Sequence, residues 1–96
     1  MSQNSIASRT EVHSDLREKL YFLHLAAENK DFTEIEFIVN HLTTYLSRRE
    51  MEEPYLMAKN LEVSITAPSE FLLDEISEFI YSISEMFDLP VNYLTT

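Results

Sequence analysis

Not one of the 96 residues is glycine. Glycine takes positive φ without steric cost, so tight hairpins and close-approach loops are built from it. Without it the P-loop, the dinucleotide fingerprint and the G-x-S-x-G elbow are all excluded, because their backbones must turn tightly or lie against a ligand. Type I′ hairpins would have to rely on Asn or Asp alone. Helices lose little by the absence of glycine and β-proteins lose more. The expectation is an α-rich fold.

A chain of this length makes one domain, with surface enough for one core and not for a deep internal cavity. Hydrophobic residues are 45% and charged residues 25%, so the chain is foldable despite a formal net charge of −10. There is no cysteine, which excludes disulfides, zinc–thiolate sites and cysteine nucleophiles. It also points to a reducing, cytoplasmic setting. Met1 to Arg9 is polar, has no apolar stretch of a signal peptide, and reads as a flexible tail. The longest apolar run, Leu20 to Ala27, contains His24 and is too short to span a bilayer. The acidic balance disfavours nucleic acid or anionic lipid as a direct ligand, since both need Lys and Arg.

From residue 10 to 96 the pattern reads as a single helical domain. A first helix opens near Thr10 to Ser14, through Ser8-x-x-Glu11 or a Ser14/Asp15 cap. Val12, Leu16, Leu20, Leu23 and Ala27 share one face of it, while Tyr21, Phe22 and Leu25 lie on the other side as a candidate oligomer interface. Asn29-Lys30-Asp31 is a polar break, and Asp31-x-x-Glu34 and Thr33-x-x-Glu36 are capping-box patterns. The second helix carries Phe32, Ile35, Val39, Leu42 and Leu46 on one stripe and ends at Arg48-Arg49. Glu52-Glu53-Pro54 starts a short third helix over Tyr55 to Asn60. Leu61 to Thr66 alternates like a strand, yet Met57, Leu61 and Ile65 also fit helical spacing. Helix is favoured there; the alternative is a strand at 61–66 paired with Val91 to Leu94, an α+β fold. Thr66-Ala67-Pro68-Ser69-Glu70 opens the last helix, and Pro90 ends it. Leu72, Ile76, Phe79, Ile83 and Met86 repeat along its inner face, widened by Leu73, Ile80 and Phe87. The fold class expected is all-α, a small antiparallel four-helix bundle.

Charge is unevenly spread. Up to Arg49 there are six Lys/Arg against seven Asp/Glu; from Glu50 onward there are ten Asp/Glu and one base, Lys59. On a helical wheel Asp74, Glu78 and Glu85 fall together, with Tyr81 among them and Glu70 and Asp88 to one side. Five carboxylates would then line roughly 27 Å of one helix face. Helix faces usually mix signs, because Glu–Lys pairs at i,i+4 stabilise them and like-charge pairs cost a few tenths of a kcal/mol. Two readings compete. An acidic face keeps a small protein soluble and monomeric. Alternatively the stripe docks on a basic protein surface, with Tyr81 and Phe71 as aromatic anchors. A special case of docking is nucleic-acid mimicry, since carboxylates one turn apart are spaced like phosphates along a strand.

His13, His24 and His41 have no metal-like spacing, and no Glu-x-x-His pair exists for a di-metal bundle. The acid pairs Glu52-Glu53 and Asp74-Glu75 come without a nucleophile or a positive stabiliser. The expectation is therefore no enzyme, no metal and no cofactor. Leu23-His24-Leu25-Ala26-Ala27, with Glu34-Ile35 and Ile38-Val39, resembles one ankyrin repeat. No second copy exists, and a lone repeat cannot bury its own face. Phe32-Thr33-Glu34-Ile35-Glu36-Phe37 is similar to a helix start in the immunity proteins of nuclease bacteriocins. These are also small, acidic four-helix proteins, and they bind basic toxins. Their Tyr-Tyr-Pro signature is not found; only Tyr55 sits in a comparable short third helix. That resemblance implies a mode of action rather than a family. The leading expectation is a regulatory or inhibitory protein that binds a basic partner. A structural or chaperone subunit, dimerising through apolar helix faces, is the other.

Overall fold

The computed structural model describes the backbone of residues 2–89 and the side chains of residues 14–89. Four helices follow one another: α1 Ser2–Glu28, α2 Phe32–Arg48, α3 Glu52–Thr66 and α4 Leu72–Met86. No strand occurs among the described residues, and the architecture is a small helical bundle. α1 contacts α2 and α4, and α3 contacts the same two helices. The four helices therefore form a closed ring in chain order.

α1 begins well before its expected start, and the backbone of residues 2–9, read from sequence as a tail, is helical. Neither glycine nor proline interrupts that stretch, and a nucleated helix gains one hydrogen bond per added residue. Asp15, one of the expected caps, lies inside the helix. At α2 the Asp31 cap holds: Asp31 Oδ1 accepts the Glu34 N–H at 3.2 Å, while the Asp31 N–H, which a full capping box would give to the Glu34 side chain, bonds to Ala26 O instead. α3 runs through 61–66 as helix, the favoured reading of that stretch. Leu61 is buried, Ile65 half-buried and Val63 67% exposed. A strand would put all three on one face; a helix separates Val63 from the other two. The partner strand considered at Val91 to Leu94 lies outside the described residues.

Three of the four helices, α1, α2 and α4, end without glycine in a uniform way. Lys30, Glu50 and Asp88 have φ of 55°, 56° and 55°. The next residue's N–H bonds back to the helix in each case: Asp31 to Ala26 O at 2.9 Å, Met51 to Leu46 O at 3.2 Å, Leu89 to Ser84 O at 2.7 Å. The left-handed residue's own N–H reaches Ala27 O, Ser47 O and Glu85 O respectively. These are Schellman motifs, which normally place glycine at the left-handed position. A side chain with a Cβ costs about 1–2 kcal/mol there. Asp31 and Met51 also serve as the N-caps of α2 and α3. One residue closing one helix and opening the next keeps both connections short, so α1, α2 and α3 pack as successive antiparallel hairpins.

The link from α3 to α4 differs from expectation. Thr66 ends α3, its Oγ1 bonded to Val63 O at 2.7 Å, and α4 starts only at Leu72. Ala67 precedes Pro68 and is driven out of the helical region, to φ −132° and ψ 70°. Ser69 Oγ then accepts the Phe71 N–H at 3.1 Å, which holds a turn where the first turn of helix was expected. At its other end α4 stops at Met86, because Asp88 has already turned left-handed before Pro90 is reached.

The core is assembled from Leu16, Leu20 and Leu23 of α1, Ile35, Val39, Leu42 and Leu46 of α2, Ala58 and Leu61 of α3, and Ile76, Ile80 and Ile83 of α4. Burying each large aliphatic side chain contributes about 1.5–3 kcal/mol. Three positions depart from the sequence stripes. Phe32 is 51% and Met86 40% exposed, since each is a terminal helical residue beyond the fully enclosed part of the ring. Ala26, rather than Ala27, is the buried alanine near the end of α1. Among the described side chains, Ser84 Oγ is buried without a hydrogen-bond partner.

Candidate functional site

All six residues singled out on the last helix and its flanks are exposed: Glu70, Asp74, Glu78, Tyr81, Glu85 and Asp88. They do not form one helical stripe of five carboxylates. Asp74, Glu78 and Glu85 lie on α4 with Tyr81 between them. Glu70 sits in the preceding turn, and Asp88 is the left-handed residue after the helix. The row on the helix is therefore three carboxylates, separated by one turn and then two, about 6 Å and 10 Å. No Lys or Arg follows Lys59 in the sequence. Lys59 itself pairs with Glu62 on its own helix, at 3.4 Å. None of the six forms an ion pair among the described residues.

Helix electrostatics accounts for some of these acids and not for others. Asp74 and Glu75 occupy the first turn of α4, where the positive end of the helix dipole stabilises a carboxylate by about 0.3–1 kcal/mol. Glu85 and Asp88 stand at the opposite, negative end, where the same effect works against them. No basic residue offsets them in the last turn.

Glu75 is a residue that the sequence pattern did not single out as part of the surface. It is half-buried, and the Ser64 hydroxyl donates to its Oε1 at 3.2 Å, tying α4 to α3. Glu75 and Glu78 together line a groove of about 230 Å³ between these helices, with Asn60 and Ser64 on the α3 side and Met57 and Phe79 as apolar wall. Nothing local to the last helix marks this groove, because half of it comes from α3.

On the opposite side of the ring, Phe22 and Leu25 line a groove of about 360 Å³ between α1 and α2, together with Ala26, Phe37 and Ile38. Phe22 is 51% and Phe37 63% exposed. Tyr21, grouped with Phe22 and Leu25 from sequence, does not line this groove; its ring lies 5.9 Å from that of Phe22. Near the same pair of helices, the Tyr45 hydroxyl donates to Asp15 Oδ2 at 3.3 Å. Lys19 Nζ and the Arg49 guanidinium stand 4.7 and 4.2 Å from the Tyr45 ring centroid. Partial burial pushes the Tyr45 phenol above its ordinary value, with Arg49 opposing and Asp15 reinforcing the shift.

His24 Nε2 lies 3.2 Å from Glu28 Oε1, and His41 stacks on Phe37. The side chain of His13 is outside the described residues. Among the described residues no group of three or more His, Asp or Glu is placed to hold a metal ion. No helix among them is long and apolar enough to cross a membrane. Compared with protein-family models, with curated proteins and with solved structures, the chain matches none.

Proposed function

We propose that this chain is a non-enzymatic regulatory or inhibitory protein that docks the acidic face of α4 on a basic surface of a partner protein. One observation carries the reading: Asp74, Glu78, Tyr81 and Glu85 are exposed along one helix without an ion pair. Solubility would be served by acids anywhere on the surface. Glu85 and Asp88 instead stand where the helix dipole disfavours them, and a recognition role gives a reason for their position. Tyr81, 50% exposed among the carboxylates, is the aromatic anchor such a surface uses. The α3–α4 groove, which Glu78 also lines, fits one Lys or Arg side chain of the partner. The aliphatic stem would lie on Met57 and Phe79, and the cationic head on Glu75 and Glu78. The lack of cysteine supports action in the cytoplasm. Mimicry of a nucleic-acid backbone is less well supported, because the carboxylates on α4 are unevenly spaced.

The test uses a labelled nona-arginine peptide and fluorescence anisotropy. Binding should weaken steeply with added salt. The triple variant Asp74→Lys/Glu78→Lys/Glu85→Lys should lose it by about 100-fold or more, while Glu18→Lys/Glu36→Lys/Glu53→Lys retains most of it. Both variants carry the same net charge, so a difference between them reports position rather than total charge. Equal binding by the two variants would sink the proposal.

A further inference from the structure

The α1–α2 groove has a second property besides its apolar floor: its charges are sorted along its length. Because α1 and α2 run antiparallel from a short connection, residues near that connection share one end. Asp31 and Glu34 stand there, beside Asn29. Lys19 and His41 stand at the other end, about 15 Å away at 1.5 Å per residue. Phe22, Leu25, Phe37 and Ile38 occupy the middle. Each of the two prominent rings has a ring neighbour: Tyr21 lies 5.9 Å from Phe22 and His41 lies 6.2 Å from Phe37, centroid to centroid.

A surface that is acidic at one end, apolar in the centre and basic at the other is complementary to itself turned end for end. We infer that the α1–α2 groove is the interface of a homodimer, in which a two-fold axis crosses the helices and lays the Asp31/Glu34 end of each copy over the Lys19/His41 end of its partner. Such an isologous contact closes on itself and does not propagate. The rings of Phe22 and Phe37 from both copies form its centre, where interface energy concentrates. The groove runs only about 15 Å along the helices, so the dimer is weak and reversible, with a Kd on the order of 100 μM. The α3–α4 side lies across the ring from this interface. Both α4 faces therefore point outward in the dimer, whatever they bind.

Sedimentation equilibrium of the full chain over a concentration series tests this assembly without any partner. The wild type should pass from monomer to dimer and form nothing larger. Phe37→Glu and Phe22→Glu replace half-exposed side chains, so the helical far-UV signal should persist while dimerisation weakens at least ~10-fold. Glu34→Lys should weaken it about 3-fold, and adding Lys19→Glu in the same chain should recover most of that loss, because the swapped charges meet only across the two-fold axis. His41→Lys should tighten the dimer. A wild type that stays monomeric to about 1 mM, a dimer indifferent to Phe37→Glu, or a double variant weaker than Glu34→Lys alone would each overturn the inference.

Discussion

The α1–α2 side and the α3–α4 side of the bundle share one core and are armed in opposite ways. On the first, apolar rings stand between a basic and an acidic end. On the second, carboxylates line a helix that has no base, and the one base on its neighbour is already paired. The difference follows from topology. Helices placed round a ring in chain order convert a charge imbalance between the two halves of the sequence into one between two faces. An apolar centre flanked by a few exposed charge pairs associates with a modest dependence on ionic strength; a face of one sign depends on it strongly. Salt is therefore the variable that distinguishes the two sides.

The largest expected effect breaks what the faces have in common. Leu42 is fully buried in the core, and Leu42→Ala should cost about 2–5 kcal/mol in urea denaturation. Both nona-arginine binding and self-association should fall with the folded fraction. If one face kept its activity in the unfolded protein, the shared scaffold would be disproved.

A smaller effect concerns the turns that set the ring order. Glu50→Gly relieves a left-handed residue between α2 and α3 and should raise stability by about 1 kcal/mol. Asp88→Gly should do the same at the end of α4. A loss of stability in either would mean that the native side chain contributes more than its backbone geometry costs.

Within the acidic face, two substitutions of equal charge change should act with opposite sign. Asp74→Lys places a cation at the positive end of α4 and should destabilise by about 0.3–1 kcal/mol; Glu85→Lys places one at the negative end and should stabilise by a similar amount. Thermal melts at low salt would show the divergence, and parallel shifts would show that the dipole does not govern these positions.

The smallest effect belongs to the neutral side and appears only at high pH. The folded state holds the Tyr45 proton more tightly than the ordinary value of 10.0. Above about pH 10 the unfolded chain loses a proton that the folded chain keeps, so stability falls as pH rises. Below that pH the group adds no slope. Tyr45→Phe should remove this part of the alkaline decline, narrowing the gap between wild type and variant above pH 10. A gap that stays constant to pH 11 would contradict the assignment.

Much of the fold was legible in particular residues. Leu16, Leu20 and Leu23, the Asp31 cap, and the Ile76–Phe79–Ile83 repeat all stand where their spacing put them. The residues 61–66 were ambiguous because Leu61 and Ile65 satisfy both the period of a strand and that of a helix, and the exposure of Val63 settles it as helix. The start of the last helix was misplaced because proline is compatible with both a first helical turn and an interhelical turn. Ser69 bonding to Phe71 decides for the turn. Of the candidate surface, exposure was legible for all six residues, while the continuity of the row across Glu70 and Asp88 was not, since it depended on those helix ends.

The sequence by itself determined that the chain is helical, where α2 is capped and which half carries the charge. These are local properties, fixed by period, by the reach of a side chain to a nearby N–H, and by counting. It did not determine that Glu75, one residue after the exposed Asp74, tethers α3. Nor did it show that Phe22 and Phe37 line one groove, or that Phe32 and Met86 escape the core. Each of those depends on which helix stands alongside, and that was decided only when α1, α2, α3 and α4 closed into a ring around a shared core.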